Sequence, residues 1–216
     1  MHSSHRSPIP FRDYLLLDMN FVIRMLILSD VIWMGACGLL GPIFAIFVVG
    51  FIQGGSEVVA GIAASIYLIT KSIAQIPAAT IIDRIRGEKD DFWFMFTGSI
   101  LGALIPLAYL IISTPAQLYA VQFLYGLFIA VTFPSYMAIF TRHIDKTKEA
   151  TSWGVYFTLN DFSSAVAASV GGVLAGTMGF RPLIVITVTV SLFGVACLYP
   201  IRRHVRKARQ LGNSTA

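Results

Sequence analysis

Charge is what this 216-residue chain has least of. Asp, Glu, Lys and Arg make up 12% of it, against about 25% in soluble domains. With 56% hydrophobic residues and a mean hydropathy of +0.75, there is too little polar surface to clothe a water-exposed globule. Cysteine is also scarce. Cys37 and Cys197 are the only two. They lie far apart and inside apolar stretches, which excludes a disulfide framework and leaves no metal-ligand spacing. There is no G-x-S-x-G, no H-E-x-x-H and no paired-aspartate catalytic spacing. An intramembrane enzyme finds no support, and no cofactor or metal is called for. The first 20 residues lack an apolar core followed by a small-residue cleavage site, so they do not read as a signal peptide. Within them, Phe11–Asp18 fits an amphipathic surface helix as well as a flexible tail.

What fills the chain instead is apolar sequence. Six long runs cover about 21–50, 58–82, 92–113, 116–140, 150–176 and 182–201. Each reaches the roughly 20 residues that cross a hydrocarbon core as a helix. Lipid offers no partner to free backbone groups, so an all-α membrane bundle with six transmembrane helices follows. The basic residues then orient it. Arg6, Arg12 and Arg24 precede or open the first run; Arg84, Arg86 and Lys89 follow the second; Arg142, Lys146 and Lys148 follow the fourth; Arg202, Arg203, Arg206, Lys207 and Arg209 follow the sixth. These are 14 of the 16 basic residues, and the opposite gaps hold only Arg181. The positive-inside rule puts both termini and the two charged loops in the cytoplasm of a multi-pass cell-membrane protein. The net charge of +5 thereby faces anionic lipid and does not signal nucleic acid. The domain plan is a cytoplasmic tail (1–20), one membrane domain (21–201) and a basic cytoplasmic tail (202–216).

Local signals support that division. Ser56-Glu57 reads as a cap with an acid in the first turn. Ser113-Thr-Pro-Ala-Gln117 joins the third and fourth runs, and the fifth is expected to stop between Gly176 and Gly179. Gly98 and Gly102, and Gly172 and Gly176, are spaced for close helix packing, as are Ser163, Ala167, Gly171 and Ala175. Trp93 and Trp153 sit beside charged loops and read as interface anchors. His143 and His204 lie in basic segments and read as solvated.

The motifs carry a resemblance. The loop after the second run contains Asp83-Arg84-Ile85-Arg86-Gly87-Glu88-Lys89. The fourth run contains Gln122, Gly126, Ala130 and Pro134, and the fifth ends in Gly171-Gly172 and Gly176. This series resembles the amino-terminal six-helix half of a major facilitator superfamily transporter. The Asp-Arg pair of the family's loop signature matches at Asp83 and Arg84. Ala79 replaces its first glycine, and Arg86 is an extra residue before Gly87. Gln122 stands where the fourth-helix signature carries arginine, and the fifth run lacks the Gly-Pro pair of drug/proton antiporters.

The resemblance implies half of a 3+3 inverted-repeat fold that moves a small-molecule substrate through the midplane between two halves. It implies a half-size transporter working as a dimer, with a copy of itself or with a related half. A non-transporting scaffold or subunit, or a truncated half of a longer transporter, are the alternatives. Asp83, Arg84, Gly87 and Lys89 would form the gating loop. Asp83 closes its helix at the unfavourable negative end of the dipole, which the family resolves against the other half; here that would be the partner's helix five near Thr151 and Ser152. Arg84 is the local alternative.

Three charges lie deep within the runs: Asp30, Lys71 and Asp161. At 1.5 Å per residue they lie about 15–18 Å from the cytoplasmic ends of their runs, one layer near the midplane. Buried ionisable groups in membranes face cavities or each other. By resemblance, Lys71 meets the partner's Asp161 while Asp30 faces the cavity as the proton-coupling acid; an internal Lys71–Asp30 pair is the competing arrangement. Gln122, Tyr125, Thr132, Ser135 and Tyr136 in the fourth run, with Asn160 in the fifth, are the polar cavity candidates.

Overall fold

The computed structural model describes residues 19–85 and 87–205. The Phe11–Asp18 stretch, Arg86 and the tail from Arg206 onward lie outside the described residues. Among those described there are helices and turns and no strand.

Asn20 opens α1 (Phe21–Leu40) by accepting a 2.9 Å hydrogen bond from the Val22 N–H. Pro42 has no N–H to donate, and the helix tightens to a 3₁₀ turn over Gly41–Ile43 before α2 (Phe44–Phe51) carries on. A turn with Gly54 at φ +73° reverses the chain. Ser56 then caps α3 (Glu57–Arg84), its hydroxyl accepting from the Val59 N–H. After a short loop come α4 (Glu88–Leu104) and a 3₁₀ stretch, Ile105–Leu110, that holds Pro106. A reciprocal cap between Thr114 and Gln117 starts α5 (Pro115–His143). α6 (Glu149–Met178) ends at Gly179, whose φ of +81° favours a residue without Cβ. α7 (Phe180–Ala196) and a final 3₁₀ turn, Tyr199–Arg203, complete the bundle.

Five of these segments are long and apolar enough to cross a membrane: Phe21–Phe51, Glu57–Arg84, Glu88–Leu110, Pro115–His143 and Phe180–Arg203. α6, with 30 residues, has the length for a sixth crossing. Its shortfall is in apolar character, because it carries Ser152, Asn160, Asp161, Ser163, Ser164 and Ser169.

α1 packs on α6 and α7, and α5 packs on α3 and α4. Contacts of α4 with α7 and of α1 with α5 join the two groups. Glycine sets the closest approaches. A Cβ on Gly171 would overlap the Leu39 carbonyl, and one on Gly126 would sit 2.8 Å from the Tyr67 carbonyl oxygen. Of the paired glycines, Gly98 and Gly102 do face neighbours, α5 and Trp33 respectively, while Gly172 and Gly176 point outward.

The core is apolar at its two ends and polar between them. One end gathers Leu26, Phe92, Met95, Phe140 and Ile201; the other gathers Phe47, Val48, Ala63, Leu118 and Ile184. In the middle lie buried Asp30, Ser99, Gln122, Asn160, Thr187 and Ser191. A buried polar layer is costly unless it is bonded or wet, and it marks where the bundle departs from simple packing.

Candidate functional site

The polar layer surrounds two adjoining cavities. The smaller, about 120 Å³, is bounded by Asp30, Lys71, Tyr125, Thr132 and Tyr136, among others. The larger, about 300 Å³, is bounded by Phe44, Pro106, Tyr109, Gln122, Thr187 and Ser191, among others. Trp33, Cys37, Tyr67 and Tyr125 border both.

Helix registers deliver these groups. On α6, Tyr156 and Asn160 are four residues apart and so share a face. That face meets α1, where the Asp30 Oδ2 accepts a 2.8 Å hydrogen bond from the Tyr156 hydroxyl and a 3.2 Å one from the Asn160 amide. Ser163, farther along the same face, donates to the Val31 carbonyl at 2.8 Å. On the other flank of α1, the Ser29 hydroxyl donates to the Gly194 carbonyl of α7 at 2.7 Å. Asp30 is thus placed by neutral hydrogen-bond donors, and no ion pair joins it to Lys71.

Lys71 is positioned from the opposite side. The missing Cβ of Gly126 lets α5 approach the α3 backbone at Tyr67, Thr70 and Lys71. Tyr67 then stacks on Tyr125 with ring centres 4.9 Å apart. The Lys71 ammonium lies 5.3 Å from the centre of the Phe133 ring, a cation–π contact. The Tyr125 hydroxyl meets the Cys37 sulfur at 3.8 Å.

Of the polar candidates, Tyr125, Thr132 and Tyr136 border the smaller cavity, and Gln122 the larger. Thr132 and Ser135 spend their hydroxyls on their own helix, at the Phe128 and Val131 carbonyls. Asn160 reaches the site through Asp30. Asp161 lies exposed on the outer face of α6. In the loop signature, Asp83 and Arg84 are exposed, Lys89 is half-buried and Gly87 is buried at the start of α4.

Several residues carried no signal as candidates in the sequence. Trp33, Tyr67 and Tyr156 look like ordinary apolar-helix aromatics, although the Tyr156/Asn160 spacing does point to a shared face. Asp91 looks like one of three acids in a first helical turn. It is in fact fully buried and ion-paired to Arg142 at the end of α5. Beside it, His143 is not solvated as expected: its side chain is 13% exposed, its Nε2 lies 3.9 Å from the Glu88 carboxylate, and its Nδ1 lies 3.0 Å from the Ile139 carbonyl. Trp153 also turns inward, packing on Phe140 and Tyr156.

A bundle of long apolar helices around a polar cavity defines a multi-pass membrane protein. The chain belongs to the Major Facilitator Superfamily, a family of membrane transporters, whose model matches residues 26–214. It is similar to the proton-coupled antiporter flippase LtaA of Staphylococcus saprophyticus, with 24% identity over 103 residues; the match covers 48% of this chain and 26% of that protein. Its fold is similar to the in meso crystal structure of the POT family transporter PepTSo, with a TM-score of 0.70 at 15% identity, over 86% of this chain and 38% of that one. The chain thus matches only a minor part of the length of either protein.

Proposed function

We infer that this chain forms one six-crossing half of a secondary transporter, which moves a small solute by alternating access and couples that movement to protons at Asp30. The observation that carries this reading is the cavity itself. It holds an acid whose partners are two neutral donors, Tyr156 and Asn160. A carboxyl without an opposite charge beside it in a low-dielectric site exchanges protons more readily than an ion-paired one. The proton coupling named for the Staphylococcus saprophyticus relative agrees with that chemistry.

Alternating access in this family requires two halves about a midplane site. The second half is a copy of this chain, a related half, or the remainder of a longer chain of which this is one part. The broad exposed faces of α3 and α6 suit it, with Asp161 on α6 and Asp83 at the end of α3 open to a partner. Asp83, Arg84, Gly87 and Lys89 then gate the cytoplasmic side of a plasma-membrane protein whose basic loops face inward.

The test is flux. Purified protein in liposomes loaded with a pH-sensitive dye is challenged with a panel of small solutes under an inward proton gradient. Saturable, solute-dependent proton entry is expected, and Asp30→Asn should remove it while the protein still assembles. A scaffold gives no saturable flux with any solute. Proton entry that survives Asp30→Asn removes Asp30 from the coupling role.

A further inference from the structure

The two cavities hold polar groups that the protein itself leaves unmatched. The Lys71 ammonium faces the smaller cavity with a ring face, Phe133, as its neighbour and, among the described residues, no carboxylate in ion-pairing range. The Tyr136 hydroxyl borders the same cavity, is buried, and has no hydrogen-bond partner. In the larger cavity the Thr187 hydroxyl is in the same position: buried, lining the space, and unpartnered. Burying a hydroxyl without a partner is unfavourable, so such groups mark places for a ligand atom or a water. Three other polar groups nearby are already committed. Ser29 bonds to α7, Thr132 bonds within α5, and Asp30 is held by α6.

Between these groups the walls are aromatic. The stacked Tyr67–Tyr125 pair and Trp33 border both cavities. Flat rings on several sides favour a flat apolar body, because stacked and edge-on ring contacts add to area burial. The larger cavity, about 300 Å³, lies at the low end for small-molecule sites. It suits a solute of one or two rings and is too small for a lipid.

We propose that this two-part cavity binds a small aromatic organic anion. Its acid group sits at the Lys71 ammonium and the Tyr136 hydroxyl. Its ring lies along the Tyr67–Tyr125 pair beside Trp33, and a polar atom at its far end meets Thr187. The assignment rests on the transporter reading above, since with Asp30 protonated the smaller cavity keeps one uncompensated positive charge. An anion entering with the proton then neutralises it.

Equilibrium binding to the purified full chain tests this separately from transport. The probes are benzoate, 4-hydroxyphenylacetate and indole-3-acetate, each beside its amine and alcohol counterparts. The anions are expected to bind saturably and more tightly than the amines. Lys71→Gln should weaken anion binding by about tenfold or more, the scale of one charge-assisted hydrogen bond, and Lys71→Arg should restore most of it. Binding of the alcohols should change less than about twofold, which also shows that the variant is folded. Tyr136→Phe should weaken the anions by a few-fold. The proposal is overturned if no anion binds, if the amines bind as tightly, or if Lys71→Gln leaves anion affinity unchanged. It is equally overturned if Lys71→Gln weakens every probe alike and Asp161→Asn restores them, because Lys71 is then an assembly residue. Anion binding without flux keeps the site and sinks the transport reading; flux of an unrelated solute without anion binding does the reverse.

Discussion

α3 and α5 are alike in length and apolar character. They have 28 and 29 residues, each with one internal proline, Pro77 or Pro134, and they pack against each other. Their surroundings differ sharply. α5 buries residues along its whole length, from Leu118 to Phe140, whereas α3 buries only Ala60, Ala63 and Ile82. Their C-terminal ends differ too. Arg142 and His143 of α5 are tied to Asp91 and Glu88 of α4, while Asp83 and Arg84 of α3 are exposed. In water, such a difference would be written as a polar face on the exposed helix. In lipid both environments are apolar, so the exposed face of α3 is Leu68, Ile69, Ile73 and Ile76. The comparison teaches that hydrophobicity places a helix in the membrane and says little about which side of it is covered.

Substitutions at matched positions put that contrast to the test. Gly126→Leu drives a side chain into the α3 backbone and should cost about 3 kcal/mol, read as unfolding in detergent or bicelles. Gly61→Leu on α3 has open space around it and should cost less than about 0.5 kcal/mol. Equal effects would end the distinction between the two helices. Next in size, Arg142→Gln leaves Asp91 buried and unpaired. A fully buried pair would lose about 3–5 kcal/mol; with the Arg142 side chain 39% exposed, about 2 kcal/mol is expected. Arg84→Gln on α3 should be near neutral in the same assay.

Ile73→Ala with Ile76→Ala should hardly change the stability of the single chain, about 0.5 kcal/mol or less. If a second half covers this face, the same double variant instead loosens assembly, visible as dissociation in native mass measurements. The smallest effect concerns the loop after α5. Asp145 accepts bonds from the backbone N–H and hydroxyl of Thr147, which hold its carboxyl below its ordinary value of 3.8. A depressed carboxyl lends its order above the ordinary value and loses it as pH falls through the lower folded one. Thr147→Ala should therefore raise the Asp145 midpoint in a pH titration by NMR, with little change in thermal stability.

How much was legible follows from the same physics. The cap at Ser56, the connection over 113–117, the stop between Gly176 and Gly179 and the apolar runs are local features, and they can be read from the residues themselves. The rise per residue likewise puts Asp30 and Lys71 at similar distances from their helix ends, and both border the smaller cavity. The inward residues Tyr67, Tyr156 and Trp33 were not legible, because an aromatic in a lipid-embedded helix has the same reason to be there whether it faces a cavity or a chain. The Asp91–Arg142 pair was hidden for another reason. Acids in a first helical turn are explained by the helix dipole alone, so nothing in the local pattern asks for a partner 51 residues away. Conversely, the length of α6 was readable, but its Ser163 and Ser164 belong to helix contacts with α1, and these weaken the apolar signal of the run.

The depth of Asp30 has an electrical consequence. Asp30 lies nine residues on from Phe21, the start of α1, about 14 Å along the axis, in a hydrocarbon layer about 30 Å thick. A proton moving from the near surface to that carboxyl crosses between a third and a half of the membrane field. Each 100 mV therefore changes the free energy of its protonation by about 0.8–1.1 kcal/mol. In the coupling role proposed for Asp30, membrane voltage would act on this carboxyl as a shift of local pH by more than half a unit per 100 mV, and its occupancy would follow the energy state of the membrane even where the pH on both sides is the same.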